Sequence, residues 1–425
     1  MGVALNATDT GLQLEHVRDK VALMFQQDDE LLKAIEGAVE KDEVSSRTMR
    51  IPIKIQGGIP FSQVNPDNGD LGAGSNDLYD VAVNLTPVWF STAVQLSKLA
   101  IIATDSKKKS VENVLTNAFS SARAQLRTGL EALLNTDGSG TVATVTAAPV
   151  TLGGGQTQLQ VNNPNGLAEG SSYQVWSSLG GTNRGSFVVA TVDANGGDVV
   201  TTVANPAPAG TTINDLILVA GSSGVAATSL FGLEYHNTNL TTGSWLGLSR
   251  TTYPNKLETP YVNAGGAAIS VQIVRSLKQS MIRALGTNGA DVRKIIFHMG
   301  LDQEAAWEDA QTAVTTVIQN QLTGDASLDM AKANAPKTMG GNRIISSIHG
   351  IKGRIDAIDL SHWGIAEIQP VDLYDIDGQT QFQTYGASGG LNAAQLFYYW
   401  CGLQVYTDNM RANGYIDTLY VPATY

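Results

Sequence analysis

The segment Gly386-Ala387-Ser388-Gly389-Gly390 fits the GxSxG pattern that sets a serine nucleophile on a sharp strand-to-helix turn. A hydrolase of that kind needs its acid and then its histidine later in the chain. All five histidines (His16, His236, His298, His349 and His362) come before Ser388. The glycines therefore read as a tight turn, and a serine hydrolase stays only as the alternative of another class, to be tested by Ser388→Ala. Asp359, Ser361 and His362 supply the residue types of a triad, but a triad is assembled by convergence in space, so a loop with a capped turn is expected there. Asp375-Ile376-Asp377-Gly378 lacks the earlier ligands and the closing glutamate of a calcium loop and also reads as a turn. No two histidines stand at i, i+4, Cys401 is the single cysteine, and Gly153-Gly154-Gly155 opens no helix. Disulfide, thiolate-zinc and phosphate-loop chemistry thus find no support. His298 ends an apolar run and is expected to be a satisfied, partly buried side chain. The expectation is a protein without catalytic, cofactor-binding or metal-binding residues, and not an enzyme.

Composition points away from chemistry as well. The 425 residues are 43% hydrophobic and only 16% charged, where roughly 25% charged is usual, so little of the surface is made to face water alone. Lys and Arg number 27 against 39 Asp and Glu, a net charge of −12, which argues against a protein whose main task is coating duplex phosphates. The chain contains no run of about 18 apolar residues, the length needed to span a bilayer. Residues 1–19 lack the basic flank and apolar block of a secretory signal, so synthesis in a reducing cytoplasm is expected.

The charge is unevenly placed. Residues 1–43 carry ten acidic and four basic side chains, half of the whole net charge. Within them Val17, Val21, Met24, Leu31, Ile35 and Val39 recur mostly every three or four residues, the mark of an amphipathic helix with one narrow apolar stripe. Such a helix needs a partner surface, which is either its own domain or another subunit.

The period then changes. Met49, Ile51, Ile53 and Ile55 alternate with polar residues and proline, as do Val81, Val83 and Leu85 with Ala82, Asn84 and Thr86, so both runs read as half-buried strands. Pro52 and Pro87 mark them as edge strands. The Gly- and Pro-rich stretch 57–77 between them is far longer than a usual hairpin loop of about 2–5 residues. A two-stranded ribbon is marginal alone and is expected to lie on something else, naturally a neighbouring subunit.

Val111, Val114, Leu115, Ala118, Ala122, Leu126, Leu130 and Leu133 then predict a helix from about Ser106 to Leu134, stopped by Gly138 and Gly140. At 1.5 Å per residue it would be a spine of roughly 43 Å. Lys107, Lys108 and Lys109 open it, against the helix dipole. With Arg123 and Arg127 they form a weak basic stripe directed toward nucleic acid or toward an acidic neighbour such as residues 1–43, unless it is simply a solvated face. Residues 142–224 hold only five charges, many glycines and short β-prone runs, the pattern of a small all-β insert on glycine and serine hinges. Beyond it, helices are expected at Ile269–Leu285 and from a cap at Asp302 to Gln321. Strands are expected at Lys294–His298, Arg343–Ile348, Gln369–Leu373, Leu396–Tyr399, Leu403–Tyr406 and Tyr415–Val421, which makes the class α+β.

In this order the chain resembles the major capsid proteins of tailed bacteriophages, the HK97-like fold. The resemblance rests on Thr48–Gln56 with Tyr79–Ala103 (the extended loop), Ser106–Asn135 (the spine helix), and Val262–Glu304 with its Asn263-Ala264-Gly265-Gly266, Phe297-His298-Met299-Gly300 and Gln303. It covers most of the chain except 142–224. The division it implies is an N-terminal helical arm (1–47), an extended β-hairpin loop (48–103), the spine helix of a peripheral domain (104–141), an all-β insertion domain (142–224), the peripheral domain continued (225–280), an α+β axial domain (281–400) and C-terminal strands (401–425).

The resemblance implies a structural role: hexamers and pentamers tiling an icosahedral shell around packaged double-stranded DNA, in a virion made in a bacterial cytoplasm. Val17, Val21, Met24, Ile35, Ile51, Ile53, Lys54, Ile59, Phe61 and Tyr79 are then the expected intersubunit residues. Lys107, Lys108, Lys109, Arg123 and Arg127 are the expected DNA-facing ones, with weak contact only, since a net negative chain avoids gluing DNA to the wall. Expected partners are a portal, a separate scaffolding protein, because only some 45 residues precede the loop, and decoration or head proteins. Lys54 is the only lysine between Thr48 and Leu85 and sits in a strand, so a loop-lysine crosslink is not expected. An encapsulin-type nanocompartment shell shares the fold and is the nearer alternative. Triangulation number, head shape, host and maturation route leave no mark in the sequence.

Overall fold

The computed structural model describes residues 28–38, 41–44, 47–56, 79–97, 114–193, 196–287, 289–319, 338–385 and 390–422. The chain divides into two compact units, the larger made of Asp28–Trp89, Arg127–Pro370 and Gly402–Tyr425, the smaller including Phe90–Leu126 and Val371–Cys401.

The chain enters the larger unit with helix α1 (Glu30–Ala38), whose Leu31, Leu32 and Ile35 are buried. Strand β1 (Lys41–Glu43) follows. Strands β2 (Met49–Gln56) and β3 (Tyr79–Leu85) then pair antiparallel from Met49↔Leu85 to Gln56↔Tyr79. Their alternating pattern is realised directly, with Ile51, Ile53, Val83 and Leu85 buried on one face and Arg50, Pro52 and Asn84 exposed on the other. Strand β4 (Val88–Ser97) runs on into the smaller unit, and helix α2 (Val114–Leu134) runs back out of it. The 21 described residues of α2 span about 31 Å; the first turns expected from Ser106, with Lys107–Lys109, lie outside the described residues.

Next comes the low-charge segment, as seven strands: β5 (Thr141–Thr144), β6 (Val150–Thr151), β7 (Thr157–Gln160), β8 (Ser172–Trp176), β9 (Asn183–Asp193), β10 (Asp198–Thr201) and β11 (Leu216–Val219), in the order β5-β11-β8-β9-β10-β7-β6. The end of β5 meets the end of β7 through the bridge Val145↔Val161. There the Thr146 N–H donates to the Gln160 carbonyl (2.8 Å) and the Asn162 N–H to the Thr144 carbonyl (3.1 Å). Six strands therefore close into a small barrel, with β6 attached outside the ring on β7. Val145, Leu159, Val175, Phe187, Val199 and Ile217 fill it, each wholly buried, and closure leaves almost no free strand edge.

After the barrel, β12 (Ser244–Trp245) and β13 (Leu248–Ser249) form a tight hairpin. Strands β14 (Tyr261–Asn263), β15 (Ile296–Gly300), β16 (Thr338–Met339), β17 (Asn342–Ser347), β18 (Ile355–Ile358) and β22 (Gly414–Asp417) make a mixed sheet ordered β14-β22-β18-β15-β17-β16. Helix α3 (Val271–Leu285), capped by Ser270 and stopped at Gly286 with φ 79°, covers its apolar face, with Trp307 of α4 (Leu301–Gln319). Val274, Leu277 and Met281 pack there on Phe297, Met299, Ile355 and Ile416. Asp302, expected as a cap, is instead the second residue of α4, and its carboxylate accepts the Gly353 N–H (3.0 Å), tying the helix start to the next loop.

Strand β19 (Trp363–Leu373) pairs parallel with β1 in the larger unit. In the smaller unit β20 (Phe382–Tyr385) pairs antiparallel with the start of β21 (Leu391–Thr407). The two strands expected at Leu396–Tyr399 and Leu403–Tyr406 are thus one long strand. In the smaller unit Phe119 of α2 meets Phe397 and Tyr399 edge-on at 5.0 and 5.8 Å, while Trp400 meets Tyr374 at 4.7 Å, so alternate residues of β21 face opposite sides.

Candidate functional site

The ribbon β2–β3 has its seat within its own chain. The apolar face of Ile51, Ile53, Val83 and Leu85 packs on Trp245, Leu246, Leu248, Leu257 and Met410. The β12–β13 hairpin can offer that face because Leu246 and Gly247 both take positive φ (47° and 83°), the two-residue turn that keeps hairpin strands twisted together. Trp245 is fixed from below: its indole N–H donates to Nδ1 of His236 (3.2 Å), whose Nε2 donates to the Val405 carbonyl (3.3 Å). Burial holds that imidazole neutral, with its pKa pushed down to about 3. The buried amide of Gln404 accepts the Phe231 N–H (2.8 Å) and donates to the Ser229 carbonyl (3.0 Å), binding β21 to the segment that leaves the barrel. Beside the ribbon base opens a groove of about 570 Å³, lined by apolar, hydroxyl and amide side chains without a carboxylate, imidazole or amine.

The arm helix is seated on the spine helix by charge. Arg127 of α2 donates from Nε to Asp29 (2.7 Å) and from its terminal nitrogens to Glu36 (2.7 Å), two carboxylates seven residues apart on the arm. Four residues on, Glu131 accepts the Leu31 N–H (3.1 Å) and the Leu32 N–H (2.8 Å), satisfying two of the donors that every helix start leaves open. Asp28 ties the arm to the sheet, its Oδ2 accepting Ser347 Oγ–H and the Ile348 N–H, both at 2.8 Å. Burial, and then the negative Asp28 and Asp29, push the Glu131 carboxyl up to about 7 against the pull of its two N–H donors.

The face of the mixed sheet opposite α3 is polar and buried. His298 lies across from Asp356 and Asp356 across from Tyr415, so the three share one face. Arg354 grips Asp356 (2.8 Å), donates to the Asn237 carbonyl (2.6 Å) and lies 4.3 Å over the Tyr415 ring. His298 differs from its expectation: it is fully buried, and its Nε2 has no hydrogen-bond partner among the described residues, nor has either ring nitrogen of His349. Burial pushes both imidazoles down to about 4.

Among the expected intersubunit residues, Ile35, Ile51 and Ile53 require correction. Their exposures are 0%, 5% and 9% within a single chain, so they have no surface left for a neighbour; they seat the arm and the ribbon on their own subunit. Lys54 and Tyr79 lie in the ribbon strands, opposite Asp80 and Gln56, while Val17, Val21, Met24, Ile59 and Phe61 fall outside the described residues. Of the expected DNA-facing residues, Arg123 is exposed on α2, and Lys107, Lys108 and Lys109 are outside the described residues. Arg127 is corrected to the other reading of the basic stripe, since its guanidinium is spent on the acidic arm. Glu131 went unsuspected; its one sequence signal is a carboxylate set among Leu130, Ala132, Leu133 and Leu134, in the apolar stripe of the spine.

The chemistry-like motifs resolve into structure. Asp359 caps a short turn, accepting from the Ser361 N–H (3.1 Å) and Oγ–H (2.6 Å), and His362 pairs with Asp408 (2.8 Å), so Ser361 is aimed away from the imidazole. Asp375 accepts the Gly378 N–H (2.6 Å) in a turn closed by the bridge Ile376↔Gln379. Ser388 lies outside the described residues. No group of three metal-ligating side chains forms, and no helix is long and apolar enough to cross a membrane, among the described residues.

No protein-family profile matches the chain, and no curated protein matches it. Solved structures do. The capsid asymmetric unit of cyanophage A-1(L) aligns over 98% of this chain and 99% of its own, with a TM-score of 0.57 at 13% identity. The capsid of the native GTA particle aligns over 99% and 100% (TM-score 0.50, 11% identity), and that of the empty GTA particle over 99% and 100% (0.51, 10%). The alignments run over nearly the whole of both chains, and by them this chain has the tailed-phage major capsid fold.

Proposed function

We propose that copies of this chain assemble into hexamers and pentamers and form the icosahedral head shell of a phage around packaged double-stranded DNA. The observation that carries this reading is the alignment of nearly the whole chain with a cyanophage capsid subunit. The chain's own physics supports it: a low charge content, a ribbon whose strands are separated by some twenty residues, and the strand Val88–Ser97, on which Phe90, Val94 and Leu96 are only partly buried, together suit a subunit completed by its neighbours. The proposed intersubunit residues are Val17, Val21, Met24, Lys54, Ile59, Phe61 and Tyr79, and Lys107, Lys108, Lys109 and Arg123 are the proposed weak DNA contacts. A separate scaffold, a portal, decoration proteins and a virion location complete the reading, with no enzymatic activity.

Electron microscopy of the purified protein tests it first, with closed shells as the expected result. Deleting residues 58–77 should leave soluble subunits or small oligomers, whereas normal shells from that deletion would sink the proposal. Val21→Asp is the cleaner test of the arm, because Ile35 is a core residue of the subunit itself. A folded enzyme found as cargo inside DNA-free particles would turn the reading to the encapsulin type.

A further inference from the structure

Three carboxylates crowd the point where the arm meets the spine, and their partners are unequal. Asp29 has Arg127 and Lys33, at 2.7 and 2.6 Å. Asp28 has the Ser347 hydroxyl and the Ile348 N–H. Glu131, with no exposed surface, has two backbone N–H groups and no ion pair among the described residues, because Arg127, one turn earlier on the same helix, faces Asp29 and Glu36. Beyond Asp28 stand the buried imidazoles of His298, on the sheet, and of His349, in the turn after β17. A buried carboxylate lacking a cation, with two negative neighbours, is costly when ionised. The seat that buries it is made by a helix of only nine residues, too short to be stable on its own.

We propose that the arm helix is a proton-coupled latch: the Glu131 carboxyl holds a proton while residues 30–38 are seated on the spine and gives it up to solvent when they lift away. The direction follows from burial. The seated carboxyl titrates near 7, and the same group freed into water near 4.5, so the seated state binds the extra proton. Raising the pH through that window loosens the arm, and lowering it tightens the arm. His298 and His349 act in the opposite sense, because buried neutral imidazoles must charge as the pH falls from 6.5 toward about 4. The two effects oppose each other, so the pH profile of the wild type alone does not isolate the latch, whereas its ratio to a Glu131→Gln variant does.

The experiment is amide hydrogen exchange of the full chain, read on peptides covering residues 30–38 and corrected for the intrinsic exchange rate at each pH. The amide that replaces the carboxyl in Glu131→Gln has no proton to lose in this range. The protection of the wild type relative to that variant is therefore expected to fall by roughly 30-fold between pH 5.5 and 8. A fall smaller than threefold overturns the latch. Should Glu131→Gln fail to fold, infrared titration of the otherwise unaltered chain decides, in a Glu234→Gln background because that carboxyl is also raised by burial. A protonated-carboxyl band that persists at pH 6 and vanishes by pH 8 supports the latch, and its absence at pH 6 overturns it. Both measurements concern contacts inside one chain, so they stand or fall separately from shell assembly.

Discussion

The barrel and the ribbon are both built of short antiparallel strands, yet they are completed in opposite ways. In the barrel, strands spanning Thr141–Val219 supply their own neighbours, their own core and, through Val145↔Val161, their own closure. The ribbon has two strands and one apolar face, covered by Trp245, Leu246, Leu248 and Leu257 some 160 to 200 residues further along the chain. A closed module can be carried by a fold without taking part in its cooperative core, whereas an open one is only as stable as what it lies on.

The sharpest break of this contrast is Trp245→Ala. It empties the largest fully buried side chain among the described residues and leaves His236 Nδ1 without its donor, at a cost of about 4 kcal/mol. Exchange protection should collapse in Met49–Gln56 and Tyr79–Leu85 and persist in the barrel. Loss of protection in both regions would mean that they form one cooperative unit. Phe187→Ala is the reciprocal test, costing about 3 kcal/mol, with loosening confined to 141–219 while the ribbon stays protected.

Acid sharpens the contrast further, since His298 and His349 lie in the body and the barrel segment 142–224 has no histidine. Their lowered pKa values mean that the native state binds fewer protons than the unfolded chain. Their contribution is complete above pH 6.5 and is lost as the pH falls toward about 4, by roughly 3 kcal/mol at His298. Denaturant midpoints taken across that range should fall for the body, and His298→Gln should flatten the fall. The smallest expected effect is that of Lys33→Ala. It removes an exposed ion pair with Asp29, so the unfolding midpoint should move by less than about 0.5 kcal/mol.

Local pattern was readable where one residue type repeats on one face. The alternation of Ile51 and Ile53 marked a strand, the stripe Leu126, Leu130 and Leu133 marked a helix, and the scarcity of charge after Val142 marked an all-β insert. Ile35, Ile51 and Ile53 are covered by their own chain, a distinction that hydrophobic spacing does not carry, because it reports that a face is covered and not what covers it. Arg127 was placed on a basic stripe whose partner stayed open between nucleic acid and the acidic arm. Its two carboxylates, Asp29 and Glu36, lie more than ninety residues upstream. The apolar run that His298 ends gives no sign that its Nε2 lacks a partner, because the residues beside it, Asp356 and Tyr415, come from strands far along the chain.

Element types, their order and the low charge of the chain are thus properties of the sequence alone, because they depend on backbone preference and on spacing within one turn or one strand. Barrel closure, the seating of the ribbon on a distant hairpin and the burial of Glu131 beneath the arm were decided only in three dimensions. Each joins segments whose separation along the chain is unrelated to their distance in space, and a carboxylate's charge state is set by that surrounding packing and by no property of its own residue type.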